Sequence, residues 1–309
     1  MKNKVAEDFE KEYNEKVIGV LCHSVWPFII FVVKEREMMM DAPIGVFDSG
    51  VGGLTVVKEI MRQLPGENLV YFGDTARVPY GSKSKNTVCK YSKQIVRFLQ
   101  TKHVKAIVIA CNTASALALD EIREEITIPI MGVVEPGAVM AANTTKTNNI
   151  GIIGTDSTIK SGIYNKCLHK INPEITVVSK ACPLFVPLVE EGLWEDRVTE
   201  DIVSRYLHEL KEYDIDALIL GCTHYPLLRR IIGREMGENV KLVNPAYETA
   251  KSLKALLAEK NLLNTVGIDE KEATYDYFVS DGVEKFISFA DDVLSCHVEG
   301  AEVVDIESY

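Results

Sequence analysis

Basic charge is what this sequence is short of: its 309 residues carry 34 Lys and Arg against 45 Asp and Glu, a formal net charge of -11. Nucleic acids and anionic membrane surfaces select for basic patches and stripes, and none is visible, so neither is expected as a partner. Paired cysteines are missing too. The seven (Cys22, Cys89, Cys111, Cys167, Cys182, Cys222 and Cys296) are odd in number and form no C-x-x-C, which removes a disulfide framework and a zinc ribbon and points to a reducing cytoplasm. No apolar run is long and clean enough to span a bilayer. Residues 17–33 come nearest, but they contain His23, Ser24 and Pro27 behind an acidic flank, whereas a signal peptide wants a basic flank and a span wants roughly twenty apolar residues. No stable membrane association follows. Met38, Met39 and Met40 stand just before the first strand-like motif, so residues 1–40 read as an extension upstream of the true start, the alternative being a helix that packs on the fold or touches a membrane.

What is present is a βαβ rhythm. From Pro43 onward short aliphatic runs alternate with helical patterns, as in a parallel α/β sheet. The strands read as residues 44–47, 69–72, 106–110 and 130–134, with a turn and helix after the first and a long loop, 73–82, after the second. Then the pattern restarts. Ile150-Gly151-Ile152-Ile153-Gly154-Thr155 echoes Ile44-Gly45-Val46-Phe47-Asp48-Ser49, residues 175–179 follow as a strand, and 217–220 echo 106–110. Asp48 lies 63 positions before Cys111 and Gly154 lies 68 before Cys222, the near-equal spacing a duplicated unit leaves. Late strands at 275–279 and 302–306 flank a helix at 283–293 and return to the first unit. The expectation is an α/β protein of two pseudo-symmetric, doubly wound, mostly parallel domains. The first spans 41–135 plus 246–309 and the second 136–245, with the active site in the cleft and two chain crossings as a hinge.

The duplicated strands both end in a cysteine. Cys111 and Cys222 each follow an aliphatic run and a small residue and precede hydroxyl or amide side chains. In open α/β sheets that edge faces the ligand crevice, where the next helix start points N–H groups inward and biases a thiol toward thiolate. Two such thiols suggest a site whose two sides carry the same kind of acid/base group. The other cysteines read as inert core. Cys222-Thr223-His224 is also a C-x-H metal pair, but no further ligands stand at suitable spacing. Asp48 to Gly53 could cradle an anionic group through backbone N–H donors or simply be a tight turn capped by Asp48; since Asp48 repels phosphate, a carboxylate substrate that also carries an ammonium suits it better. Arg77 and Tyr80 in the long loop could reach substrate, and Glu190 or Glu191 could act in the cleft or merely begin a solvated helix.

The strings VFDSGVGGLTV, YFGDTARVPYG, ACNTASA, CPLFVPLVEEG and GCTHYPLL stand in order across residues 44 to 230, and the chain resembles the glutamate racemases of bacterial cell-wall synthesis. The resemblance implies a cofactor-free, metal-free isomerase that interconverts L- and D-glutamate for peptidoglycan synthesis, with a homodimer allowed. It implies Cys111 and Cys222 as the two bases, Cys111 for the D-enantiomer, with Asp48 assisting Cys111, His224 assisting Cys222, and Glu190 rather than Glu191 as a further acidic residue. Asp48-Ser49, Tyr80-Gly81, Asn112-Thr113 and Thr223-His224 would contact substrate. Thiols suit a reversible pair because an unperturbed Cys, with a pKa near 8.5, reaches both protonation states close to neutrality. Three rivals stay open: an aspartate racemase sharing both thiols, a two-lobed amino-acid-binding protein, and a cysteine hydrolase that uses one thiol with His224.

Overall fold

Among the described residues ten short strands build two sheets, and every pairing in both is parallel. In chain order they are β1 (Ile44–Asp48), β2 (Leu69–Gly73), β3 (Ala106–Ile109), β4 (Ile130–Gly132), β5 (Asn149–Gly154), β6 (Thr176–Ala181), β7 (Ala217–Gly221), β8 (Lys241–Val243), β9 (Tyr275–Val279) and β10 (Glu302–Val303). The computed structural model describes residues 38–264, 272–294 and 296–309. The apolar stretch at 17–33 lies outside them. Among the described residues no helix is long and apolar enough to cross a membrane.

The first sheet has the order β10-β9-β2-β1-β3-β4 and the second β6-β5-β7-β8. The inner order β2-β1-β3-β4 therefore repeats as β6-β5-β7-β8, with β5 in the place of β1 and β7 in that of β3. These are the strands whose sequences echo each other, and the first sheet is the second with two strands added at the β2 edge. Alternate residues serve opposite faces, as the pleat requires. Val46 and Val108 pack in one core with Leu220 of the second sheet, while Phe47, Ile107 and Ile109 pack in another. Burial on both faces explains why the central strands are continuous aliphatic runs rather than alternating ones.

Residues Pro43–Tyr309 form one compact unit. Within it the chain leaves the first sheet through the helix Val134–Thr144 and returns through the helix Pro245–Glu259, and these two crossing helices pack on each other.

Several expectations change in detail. The fourth strand stops at Gly132, because Val133 is already turned into the helix that begins at Val134. Of residues 302–306 only Glu302–Val303 pair, and Ile306–Ser308 coil into a single 3-10 turn that buries Ile306. The three-residue strand β8 is too short for any periodicity and was not foreseen.

Candidate active site

The carboxyl ends of β1, β3, β5 and β7 converge on one small cavity, lined by Ser49, Tyr80, Gly81, Cys111, Asn112, Thr113, Thr155, Glu190, Cys222, Thr223 and His224, with Val78, Pro79 and Val186. Its free volume is about 30 Å³. That is room for a water or two, so polar groups meet there in surroundings of low dielectric. An outer chamber of about 240 Å³ shares Val78, Pro79, Gly81, Thr155, Val186 and Glu190 with it and adds Pro183, Pro187 and Glu191. Every residue that the resemblance places at the site lines the inner cavity except Asp48, which is fully buried at the end of β1.

Both thiols are buried and unpaired in disulfides. Cys111 caps the helix Asn112–Leu117, and its sulfur accepts the Ala114 N–H at 3.5 Å and donates to Ser49 Oγ at 3.6 Å. The expected thiolate bias fails here. Burial first, and then the nearby negative charge of Asp48, push the Cys111 thiol up to about 12, outweighing the Ala114 N–H and the Ser49 hydroxyl. Nor does Asp48 bond to Cys111: it accepts the Gly50 N–H at 3.0 Å and the Thr223 hydroxyl at 3.4 Å, and burial raises its own pKa.

Cys222 has no α-helix directly behind it. A 3-10 turn, Tyr225–Leu228, comes first, so the equivalence of the two helix starts ends at the cysteines. Cys222 is served instead by a side-chain chain: His224 Nδ1 lies 3.8 Å from its sulfur, and His224 Nε2 lies 3.2 Å from Glu190 Oε1. Burial opposes an imidazolium in this place. Hydrogen bonds to Cys222 and Glu190, together with the charges of Cys222 and Asp48, overcome that and raise the His224 pKa from 6.5 to about 10. Glu190 ends lowered despite its burial because His224 and Lys285 are beside it. Glu191 is more exposed and meets only Lys285, at 3.8 Å. Both acids sit at the end of the helix Phe185–Glu190, not at a helix start. The macrodipole disfavours them there, and these cations offset it.

Arg77 does not reach the cavity. It turns back to pair with buried Asp74 at 2.8 Å and with Glu307 at 2.9 Å, and its guanidinium lies 4.0 Å from the ring centroid of Tyr91. Tyr80 also anchors on Asp74, through its hydroxyl, which leaves its backbone and Gly81 to face the cleft. The glycines of the first turn also gain a reason. A Cβ on Gly52 would stand 2.4 Å from Thr223 Oγ1 and 2.5 Å from the His224 ring, so Gly52 lets the second half close onto the first.

Sequence reasoning missed Thr155, Val186 and Lys285. Thr155 had a signal, since it holds the position in the second half that Ser49 holds in the first. Lys285 had none, arriving from a helix almost a hundred residues downstream of Glu190. Among the described residues no group of three or more His, Cys, Asp or Glu side chains could hold a metal ion. His224 is instead engaged by Glu190.

The family described as Asp/Glu/Hydantoin racemase matches residues 44–253. The chain is similar to the glutamate racemase of Geobacter metallireducens, 52% identical over 245 residues, covering 79% of this chain and 89% of that one. Among solved structures it resembles the Francisella tularensis glutamate racemase in complex with D-glutamate, with a TM-score of 0.81, 42% identity and coverage of 87% of this chain and 100% of the other. It also resembles the Thermus thermophilus glutamate racemase in complex with β-chloro-D-alanine, with a TM-score of 0.79, 43% identity and coverage of 87% and 99%.

Proposed function

The chain belongs to the Asp/Glu/Hydantoin racemase family, and from that premise we propose that it interconverts L- and D-glutamate without a cofactor by passing the α-proton between Cys111 and Cys222. One observation carries the reading: two thiols at equivalent strand ends, one from each half, line a single small cavity. A one-thiol hydrolase has no use for the second, and a binding protein has no use for either.

The surroundings suggest how the proton moves. His224, its pKa raised to about 10, sets an imidazolium beside the Cys222 sulfur, while burial and the Asp48 charge hold Cys111 as a thiol. The Cys222 thiolate takes the α-proton, the C–H electron pair spreads into the substrate carboxylate, and the Cys111 thiol gives its proton to the opposite face. Cys222 ends as a thiol and Cys111 as a thiolate beside Ser49, so the reverse reaction starts from the mirror state. Without an electron sink the carbanion depends on hydrogen bonds in a dry site, and Asn112, Thr113 and Thr223 supply donors. Glu190, His224 and Asp48 set the charges around the sulfurs, and Ser49, Tyr80 and Gly81 complete the substrate contacts. The same reading places the enzyme in the cytoplasm, supplying D-glutamate for peptidoglycan synthesis, as a monomer or homodimer.

The test is incubation of the purified protein with L-glutamate in deuterium oxide, with no cofactor added. The expected outcome is decay of the circular dichroism signal with deuterium incorporated at the α-carbon. Activity that disappears on stripping pyridoxal phosphate or a metal and returns on adding it back would overturn the cofactor-free mechanism. Equal turnover of aspartate would overturn the choice of glutamate.

A further inference from the structure

Each thiol is followed by a cavity-lining residue, Asn112 after Cys111 and Thr223 after Cys222, and each of these is held by a side chain from the opposite half. Tyr164, on Ile163–Ile171, the second helix after β5, donates its hydroxyl to Asn112 Oδ1 at 2.6 Å. Thr55, on the helix Leu54–Gln63 that directly follows β1, donates to the backbone carbonyl of Thr223 at 2.9 Å. The two bonds come from helices at different positions in the two halves but reach equivalent residues, in opposite directions across the cleft. All four residues are buried, Tyr164 to 2% and Asn112 to 4% exposure.

The Tyr164 bond carries chemical information. A carboxamide has an acceptor end and a donor end, and a phenol hydroxyl aimed at the oxygen fixes which end is which. Burial raises the pKa of Tyr164, so it stays a donor at any working pH. With the Asn112 oxygen committed, its NH2 group has no acceptor among the described residues, on a side chain that lines the cavity. We propose that Tyr164 is a positioning residue that orients the Asn112 amide so that its N–H donors meet the substrate carboxylate, and that Thr55 does the corresponding work on the Thr223 carbonyl. This rests on the racemase reading above. It couples closure of the cleft to assembly of the site, because neither residue is held until the halves meet. Thr55 adds a choice between states, since its Oγ1 also lies 2.9 Å from Gly52 O on its own side and its one proton can turn there when Thr223 withdraws.

The experiment is a double-mutant cycle. Tyr164→Phe removes one oxygen and keeps the ring packing, so the expected result is a fall in kcat/KM of about tenfold in both directions with Tm nearly unchanged. In an Asn112→Ala background the same substitution should have no further effect on kcat/KM, because the group it orients is gone. Multiplicative losses in the double variant would overturn the proposal, as would a Tyr164→Phe enzyme with wild-type kcat/KM or one whose loss follows a matching drop in Tm. Thr55→Val against Thr55→Ser gives a second arm, with Ser expected to restore the activity that Val loses; equal activity of the two would overturn the role of Thr55. A wild-type protein that fails to racemise glutamate would sink the underlying reading and not the brace, so the two failures are distinguishable.

Discussion

The surroundings of Cys111 and of Cys222 come from the same strand plan and set different groups beside the two sulfurs. Around Cys111 the partners are a backbone N–H and the Ser49 hydroxyl, with the Asp48 carboxyl nearby, and the thiol is pushed up to about 12. Around Cys222 the partner is His224, backed by Glu190 and then by Lys285 at the rim. The histidine stands where the first half has Thr113, and the glycine Gly154 stands where the first half has Asp48. Duplication can place two thiols opposite each other, but two identical surroundings would hold both in the same protonation state. The proposed two-base exchange needs one sulfur charged and the other protonated, and these substitutions set an imidazolium beside one sulfur and a carboxyl near the other.

The largest expected effect comes from removing either thiol. Cys111→Ser or Cys222→Ser should lower racemisation by about a thousandfold or more in both directions, since a hydroxyl is a far weaker base than a thiolate near neutrality. Each variant should keep half the chemistry. Given β-chloroglutamate, whose chloride departs as the α-proton is removed, one variant should eliminate only from the D-enantiomer and the other only from the L-enantiomer, as chloride release would show. Cys222→Ser, which keeps Cys111, is expected to take the D-form. Elimination from the same enantiomer by both variants would break the two-sided reading.

A smaller effect should follow from Gly52→Ala, which touches only the Cys222 side. Its Cβ would have to displace Thr223 and the His224 ring, and an ångström of misplacement at a reacting centre costs about a hundredfold in kcat/KM. Cys111 should be spared, so alkylation of the free protein at that residue should proceed at the wild-type rate. Equal disturbance of both thiols would mean that the turn supports the whole cleft and not one side.

The smallest concerns stability. His224 binds its proton near 6.5 when free of the fold and near 10 within it, so its contribution to stability is fully present below pH about 6.5 and is lost as pH rises through about 10. Against His224→Gln, the wild-type Tm should therefore fall by a few degrees over that window, read from paired thermal melts. Parallel pH profiles for the two proteins would show that the imidazolium is not what distinguishes the Cys222 side.

Much of this was legible in the residues. Strands buried on both faces must be aliphatic throughout, so β1, β3, β5 and β7 announce themselves, and their shared pattern exposes both the duplication and the two cysteines at matching ends. Features carried by few residues or distant ones were not. β8 is three residues long, the Tyr164 brace is a lone tyrosine on an amphipathic helix, and Arg77 reads as a substrate ligand until Asp74 and Glu307 are seen to hold it away.

By itself the sequence determined that two parallel sheets would form from a repeated strand pattern and that a thiol would stand at the end of the third strand of each, because the pleat and the need to bury apolar faces are local and periodic. Only the tertiary structure decided which charged groups stand beside those thiols. Proton affinity depends on which groups the folded chain brings within a few ångströms and on how much water it removes, and Glu190 and Lys285 reach His224 from segments whose spacing in sequence gives no hint that they meet.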